Sequence, residues 1–168
     1  MSLSALLLVA TLVVPLAMAF GCLSSRLRKH ILSLIAFAPL PALPAALLGP
    51  VDRVVLFPGP FRMTLMLDRP GAILLGGSAL LWMAAGVYAS SYMRATPSPV
   101  RFALSWLLTL TGSIGLFIVA DIASFYLLFT MASLAAYGLI AHEESADAFR
   151  AGTVYVVLAL IGEAFLLL

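Results

Sequence analysis

Long apolar segments alternate with short polar ones along the whole chain. A helix needs about 20 apolar residues to cross a bilayer, and six segments are of about this length: residues 3–23, 31–49, 71–93, 101–120, 122–141 and 151–168. Proline removes a helical hydrogen bond, so the second segment is predicted to be kinked by Pro39, Pro41 and Pro44. The pattern predicts an all-α polytopic membrane protein with about six transmembrane helices.

One long connection, residues 51–70, lies between the second and third segments. Residues 54–57 and 61–67 are strand-like, and Pro58-Gly59-Pro60 between them is a strong turn signal. We therefore expect a short β-hairpin on the outer surface. We expect a single transmembrane domain, residues 1–168, with helices 1–2 before this hairpin (1–50) and helices 3–6 after it (71–168).

Composition supports the membrane assignment, since 64% of the residues are hydrophobic and only 10% are charged, against about 25% charged in soluble domains. The net charge of +2 is too small to suggest nucleic acid. Cys22, the one cysteine, excludes an internal disulfide and gives no metal-site spacing. No basic residue precedes the first apolar segment, so we expect an uncleaved first helix rather than a signal peptide.

The distribution of Lys and Arg predicts the orientation, because cytoplasmic loops carry more of them. Connections after spans one, three and five hold six: Arg26, Arg28, Lys29, Arg94, Arg101 and Arg150. The connection after span two holds three: Arg53, Arg62 and Arg69. This difference places the N-terminus outside.

Glu163 is the only charged residue of the last apolar segment. An ionised acid at mid-bilayer costs about 2.5–3.5 kcal/mol on insertion scales, and such residues usually face a partner, a cavity or an ion path. The face below it, with Tyr155 and Gly152, suits contact with another helix. We consider a proton relay through Glu163 and Tyr155; the alternative is a protonated carboxyl that only hydrogen-bonds to a carbonyl or hydroxyl.

Span five carries hydroxyl groups at spacings of four, three and four, which place them on one helical face: Tyr126, Thr130, Ser133 and Tyr137. Span four has a shorter row, Ser105, Thr109 and Ser113. Either row could be a wetted seam along which protons move. Either could equally be a packing surface, because Ser and Thr let helices approach closely.

Polar residues also mark the ends of the spans. His142, Glu143 and Arg150 could form a cytoplasmic mouth that gathers protons, since histidine changes its charge near neutral pH, or they could belong to a solvated loop in which Ser145 caps span six. Asp121 and Asp68 are candidates on the outer side; Asp121 could instead cap span five, and Asp68-Arg69-Pro70-Gly71 is expected to start span three with a local ion pair and a proline in the first turn. The chain has no Ser–His–Asp set and no cofactor fingerprint, so we expect no catalytic site, metal or cofactor of its own.

From Leu67 onward several short motifs follow one another in a recognisable order: Leu67-Asp68, Tyr88-Ala89-Ser90-Ser91-Tyr92-Met93-Arg94, Ala120-Asp121, Ser133-Leu134-Ala135-Ala136-Tyr137, His142-Glu143 and Arg150-Ala151-Gly152. This part resembles the N-terminal part of the antiporter-like membrane subunits of the complex I superfamily. The superfamily includes chain 5 of NADH:quinone oxidoreductase, component B of hydrogenase-4 and subunits of multi-subunit Na+/H+ antiporters. The resemblance implies a subunit of a bacterial or archaeal cytoplasmic membrane complex, either an antiporter or an oxidoreductase complex.

The chain also departs from that family. The family has a glutamate after a tryptophan in span five and a lysine in span seven, whereas this chain has Phe129-Thr130 and stops at Leu168. We therefore expect partner membrane subunits, including one that supplies the missing helices. The resemblance implies proton or cation translocation within such a complex; the alternatives are a non-pumping scaffold subunit and an accessory subunit of an inorganic-carbon uptake system.

Overall fold

The computed structural model describes residues 2–56, 62–93 and 98–167. Seven α-helices occur in this part of the chain: α1 Leu3–Cys22, α2 Ser25–Leu34, α3 Ala42–Leu48, α4 Arg69–Tyr92, α5 Pro99–Gly115, α6 Ile122–Ile140 and α7 Ala146–Leu167. Short 3-10 turns follow α2 (Ile35–Phe37) and α6 (Ala141–Glu143), and two strands precede α4, β1 Val51–Leu56 and β2 Met63–Leu67. The predicted all-α polytopic fold with one hairpin is confirmed. The expected turn at Pro58-Gly59-Pro60 and the basic residue Arg94 lie outside the described residues.

Five segments of the described chain are long and apolar enough to cross a membrane: Leu3–Cys22, Arg26–Leu48, Arg69–Tyr92, Ile122–Glu143 and Ala146–Leu166. The sixth expected span is helical as α5, which has only 17 residues, close to the lower limit for a spanning helix. Leu107, Leu110 and Ile114 of α5 are fully buried, and α5 packs most extensively against α6 and α1. This short helix is therefore the centre of the bundle.

The second span is broken, as its prolines predict. Helix α2 ends at Leu34, and α3 begins only at Ala42, after the 3-10 turn and Pro39 and Pro41. Helix α4 packs against this break at Gly86, where an added Cβ would lie 2.6 Å from the Cα of Ala36. The irregular backbone is thus covered by a neighbouring helix, as a bilayer requires.

The hairpin is built into the core of the bundle. Strands β1 and β2 pair antiparallel, with Val54 opposite Leu65, and the side chains of Leu65 and Leu67 are buried. The link between α5 and α6 extends this pairing, since Met66 N–H donates to Ile118 O at 2.8 Å and Ala120 N–H donates to the Thr64 carbonyl at 2.8 Å. The hairpin therefore holds the α5–α6 connection in place.

Helix α7 lies at the edge of the bundle and packs mainly against α6. Much of its apolar surface is exposed, including Val154, Leu158 and Phe165, the last at 72%. Such a surface suits lipid or a further membrane segment. The outside location of the N-terminus stays a prediction.

Candidate functional site

Glu163 is buried between α6 and α7, although most of its helix is exposed. Its side chain is 4% exposed. Ser133 Oγ donates a hydrogen bond to Glu163 Oε1 at 2.8 Å, and Thr130 Oγ1 donates to Oε2 at 3.3 Å. Each carboxyl oxygen therefore has one hydroxyl donor from α6.

The helix contact that positions Glu163 begins three turns earlier. At Gly152 an added Cβ would lie 2.6 Å from Cε2 of the Tyr137 ring, so the absence of a side chain lets α7 approach α6 there. Gly152 and Glu163 are eleven residues apart and share one face of α7, because three turns of an α-helix contain about eleven residues. On α6, Thr130 and Ser133 are three residues apart and face Glu163 together.

The carboxyl group has no basic partner in the described structure, where the one salt bridge joins Arg101 and Glu144 at the end of the bundle. Burial opposes the ionised form of a carboxyl group, whereas hydroxyl donors stabilise it. The described hydrogen-bond partners of Glu163 are neutral hydroxyl groups.

A groove of about 560 Å³ runs beside this group between α5, α6 and α7. Ser133 lies in its wall together with Thr109 and Ser113 of α5 and Tyr155 of α7. Ser133, one of the two donors of the site, thus borders a space that other hydroxyl-bearing residues also line. Its other lining residues are apolar or glycine: Leu116, Phe129, Ala132, Ala136, Leu158, Ala159 and Gly162.

The two rows of hydroxyl groups, now on α5 and α6, have different surroundings: some members pack against a neighbouring helix and others line the groove. Ser105 packs against Gly138 of α6, where an added Cβ would collide with its hydroxyl. Thr109 faces the groove, but its hydroxyl donates to Ser105 O at 2.7 Å. The remaining relay candidates, Tyr126, Tyr137 and Tyr155, are half-buried and make no hydrogen bond to Glu163.

Thr130 also borders a second groove on the opposite side of α6. This groove, of about 550 Å³, lies between α1, the hairpin and α6. Its lining is apolar apart from Thr111 and Thr130, and the Thr111 hydroxyl donates to Leu107 O at 2.7 Å. Thr130 therefore separates the carboxyl group from an apolar space.

The candidates for a cytoplasmic mouth do not all come together. His142 and Glu143 both contact the hydroxyl of Tyr92, at 2.9 Å from His142 Nε2 and 3.3 Å from Glu143 Oε1. Arg150 is exposed on α7, and within the described residues it makes no hydrogen bond to His142 or Glu143. Sequence reasoning missed Tyr92 as a site residue, because 50 residues separate it from His142 and no periodicity connects them.

Asp121 caps α6, as one interpretation of the sequence predicts, and Asp68 caps α4, a role that was not predicted for it. Asp121 accepts from Ser124 N–H through Oδ1 and from Thr64 N–H through Oδ2, each at 2.8 Å. Burial raises the pKa of Asp121, but these backbone N–H groups, the Ser124 hydroxyl and the charge of Arg62 outweigh it and hold that pKa below its usual value.

Asp68 accepts from Gly71 N–H at 2.7 Å at the start of α4. The ion pair expected between Asp68 and Arg69 is wrong for this structure, because the carboxylate turns to the helix backbone instead. Ser145 likewise caps α7, accepting from Ala148 N–H at 3.1 Å. No cluster of His, Cys, Asp and Glu that could hold a metal ion occurs among the described residues.

Comparison with known proteins gives two similar sequences, both assigned as parts of antiporters. The chain is 30% identical over 112 residues to a D-type component of a K+/H+ antiporter from Rhizobium meliloti, and the match covers 67% of this chain and 20% of that protein. It is 37% identical over 84 residues to the antiporter component mnhD2 from Staphylococcus saprophyticus, and this match covers 49% of this chain and 17% of that protein. No family model matches the chain. The matches cover about a fifth of the length of these relatives, and they confirm the resemblance to antiporter-like subunits.

Proposed function

We propose that this chain, a homologue of antiporter-like membrane subunits, takes part in proton or cation translocation through Glu163 within a larger membrane assembly. One observation carries the proposal: the Glu163 carboxyl is 4% exposed and accepts hydrogen bonds from Ser133 and Thr130. A residue that faced lipid without polar neighbours could not serve in this way. The two hydroxyl donors give the group a defined position beside the groove.

The cost of burying an acid supports a functional role. Intramembrane ionisable residues are expensive and commonly mark ion or proton pathways. Here the cost is only partly offset, since the two hydroxyl donors give an ionised carboxyl group hydrogen bonds but no opposite charge. Apolar residues could make a purely structural contact between α6 and α7 without the free-energy cost of burying an acid.

Two observations support the larger assembly. The matched stretch is 20% of one relative and 17% of the other, and the exposed apolar face of α7 adjoins the groove beside Glu163. We infer that other membrane subunits, including one with further antiporter-like helices, cover this face. The bacterial or archaeal cytoplasmic membrane is the proposed location.

The test replaces Glu163 by glutamine in the complete assembly, in membrane vesicles that report proton or cation flux by a pH- or ion-sensitive dye. Glu163→Gln keeps the size of the side chain but cannot ionise; its amide oxygen still accepts from one hydroxyl, and its amide N–H donates to the other, which can turn to accept. We expect most of the coupled flux to disappear while the amount of assembled complex stays unchanged. Asp147→Asn is the matched control, since Asp147 is an exposed acid of the same helix.

A second candidate is a scaffold subunit without a transport role. It is favoured by the neutral partners of Glu163, which would also suit a permanently protonated carboxyl group. Full flux in an assembled Glu163→Gln complex would leave only this second function.

A further inference from the structure

A hydrogen-bonded group joins the end of α4 to the turn between α6 and α7. Its members are Tyr92, the last residue of α4, and His142 and Glu143 of the 3-10 turn. The Tyr92 hydroxyl lies 2.9 Å from His142 Nε2 and 3.3 Å from Glu143 Oε1. One hydroxyl is therefore within reach of a titratable ring and of a carboxylate.

The other nitrogen of His142 fixes the roles in this group. His142 Nδ1 hydrogen-bonds to the backbone carbonyl of Leu139. A carbonyl oxygen can only accept, so Nδ1 carries the proton. Neutral His142 then has no proton on Nε2, and this atom accepts from the Tyr92 hydroxyl.

We propose that Tyr92, His142 and Glu143 form a proton-accepting site in which the Tyr92 hydroxyl changes its partner when His142 binds a proton. The incoming proton occupies Nε2, which becomes a donor to the Tyr92 oxygen. The Tyr92 O–H group then turns to Glu143 Oε1 and donates to it. No covalent bond other than Nε2–H forms or breaks, and both resulting hydrogen bonds involve a charged group.

The surroundings of His142 suit this exchange. Its ring packs edge-on against Phe102 of α5 and Tyr92 of α4, at centroid distances of 5.1 and 5.6 Å. The nearby charges of Arg101 and Glu144 are paired with each other. Within the described residues, Asp147 and Arg150 of α7 make no hydrogen bond to His142, whereas the Tyr92 hydroxyl bonds to its ring and also lies 3.3 Å from Glu143 Oε1.

The expected effect follows from the difference between the two states. Hydrogen bonds to charged groups contribute more than neutral ones, so the two hydrogen bonds of the protonated state should each be stronger than the neutral bond that they replace. Removing the Tyr92 hydroxyl should lower the proton affinity of His142 about fivefold, by the typical difference between charged and neutral hydrogen bonds. Glu143→Gln should lower it in the same direction, because the turned hydroxyl then meets no negative charge.

The experiment is nitrogen-15 NMR on the full chain in lipid bilayers with labelled histidine. The chain has two histidines, so His30→Gln leaves the signals of His142 alone. We expect the neutral ring to carry its proton on Nδ1, and the proton affinity to fall in Tyr92→Phe and in Glu143→Gln. Tyr88→Phe is the matched control, because its ring stacks on Tyr92 at 6.4 Å and its side chain is 73% exposed.

A neutral ring protonated on Nε2, or an unchanged proton affinity in Glu143→Gln, would overturn the proposal. Glu143 is exposed, so this variant keeps the test decisive even where Tyr92→Phe fails to fold. The measurement needs no transport. Glu163→Gln should leave the His142 signals unchanged, so the outcome is independent of the function proposed for Glu163.

Discussion

Replacing Asp121 should weaken the structure at two points at once, because its two carboxylate oxygens serve two elements. Oδ1 caps α6 at Ser124 N–H, and Oδ2 holds the hairpin at Thr64 N–H, both at 2.8 Å. Loss of an N-cap costs about 1 kcal/mol, and loss of a hydrogen bond to a charged group about 1.5–3 kcal/mol. We expect Asp121→Ala to lower the free energy of unfolding by about 2–4 kcal/mol, after allowing for partial exposure of the group.

The same interaction predicts a dependence on pH. The pKa of Asp121 is lower in the folded protein than its ordinary value, so its contribution is fully present above the unfolded pKa, about 3.9. The contribution is lost as the pH falls through the lower folded pKa. Stability of the wild type should therefore decline in this acidic range more steeply than that of Asp121→Ala.

The assay is unfolding in mixed detergent micelles over a pH series, combined with hydrogen exchange of the Thr64 and Ser124 amides. Asp68→Ala is the matched control, since Asp68 caps α4 through a single bond to Gly71 N–H. It should cost about 1 kcal/mol and leave Thr64 protected. If Asp121→Ala left the Thr64 amide as protected as in the wild type, the hairpin would not depend on this carboxylate.

Two further substitutions test the packing of the bundle. At Gly112 an added Cβ would lie 2.6 Å from Leu128 O, so Gly112→Leu should force α5 and α6 apart and lower the free energy of unfolding in micelles by about 1–3 kcal/mol. The control is Gly77→Leu, at an exposed glycine with open space around it, which should be nearly neutral. Equal losses in the two variants would contradict the close approach of α5 and α6. On the hairpin, Leu65→Ala should lower the free energy of unfolding by about 2–5 kcal/mol, because Leu65 is fully buried. Met66→Ala, at a residue that is 37% exposed, should lower it clearly less. A larger loss in Met66→Ala than in Leu65→Ala would exclude the hairpin from the core.

The sequence was sufficient for the features that depend on neighbouring residues. Apolar length located the membrane helices, and proline located the break between α2 and α3. A carboxylate directly before a helical segment located the cap at Asp121. Each of these signals acts over a few residues, where propensity and capping are strong.

The site depends on how helices cross, which periodicity does not contain. The spacing of the α6 hydroxyls placed four side chains on one face, but α7 crosses that face so that only Thr130 and Ser133 reach Glu163. Tyr137 instead provides a ring surface for Gly152. The contact between Tyr92 and His142 was equally hidden, because it joins α4 to the α6–α7 turn through tertiary packing.

Removing the polar groups around Glu163 together should distinguish transport from scaffolding. Ser133→Ala alone leaves one buried carboxyl oxygen without its donor, which should cost about 1–3 kcal/mol. The combined variant Thr130→Val, Ser133→Ala and Glu163→Met removes donors and acceptor together. Replacing both partners by apolar groups of similar shape is often neutral or stabilising, so the combined variant should be at least as stable as the wild type in micelle unfolding.

The same combined variant, in the complete assembly, should form the complex and lose its flux. A buried acid that lowers stability when present, and whose removal abolishes only transport, has no structural reason to be there. The contrary result is equally informative: a combined variant less stable than Ser133→Ala would mean that the carboxyl group holds α7 against α6. In that case the interaction between Ser133 and Glu163 is structural. The part of this chain that contributes to the assembly would then be the exposed apolar surface of α7 rather than the buried carboxyl group.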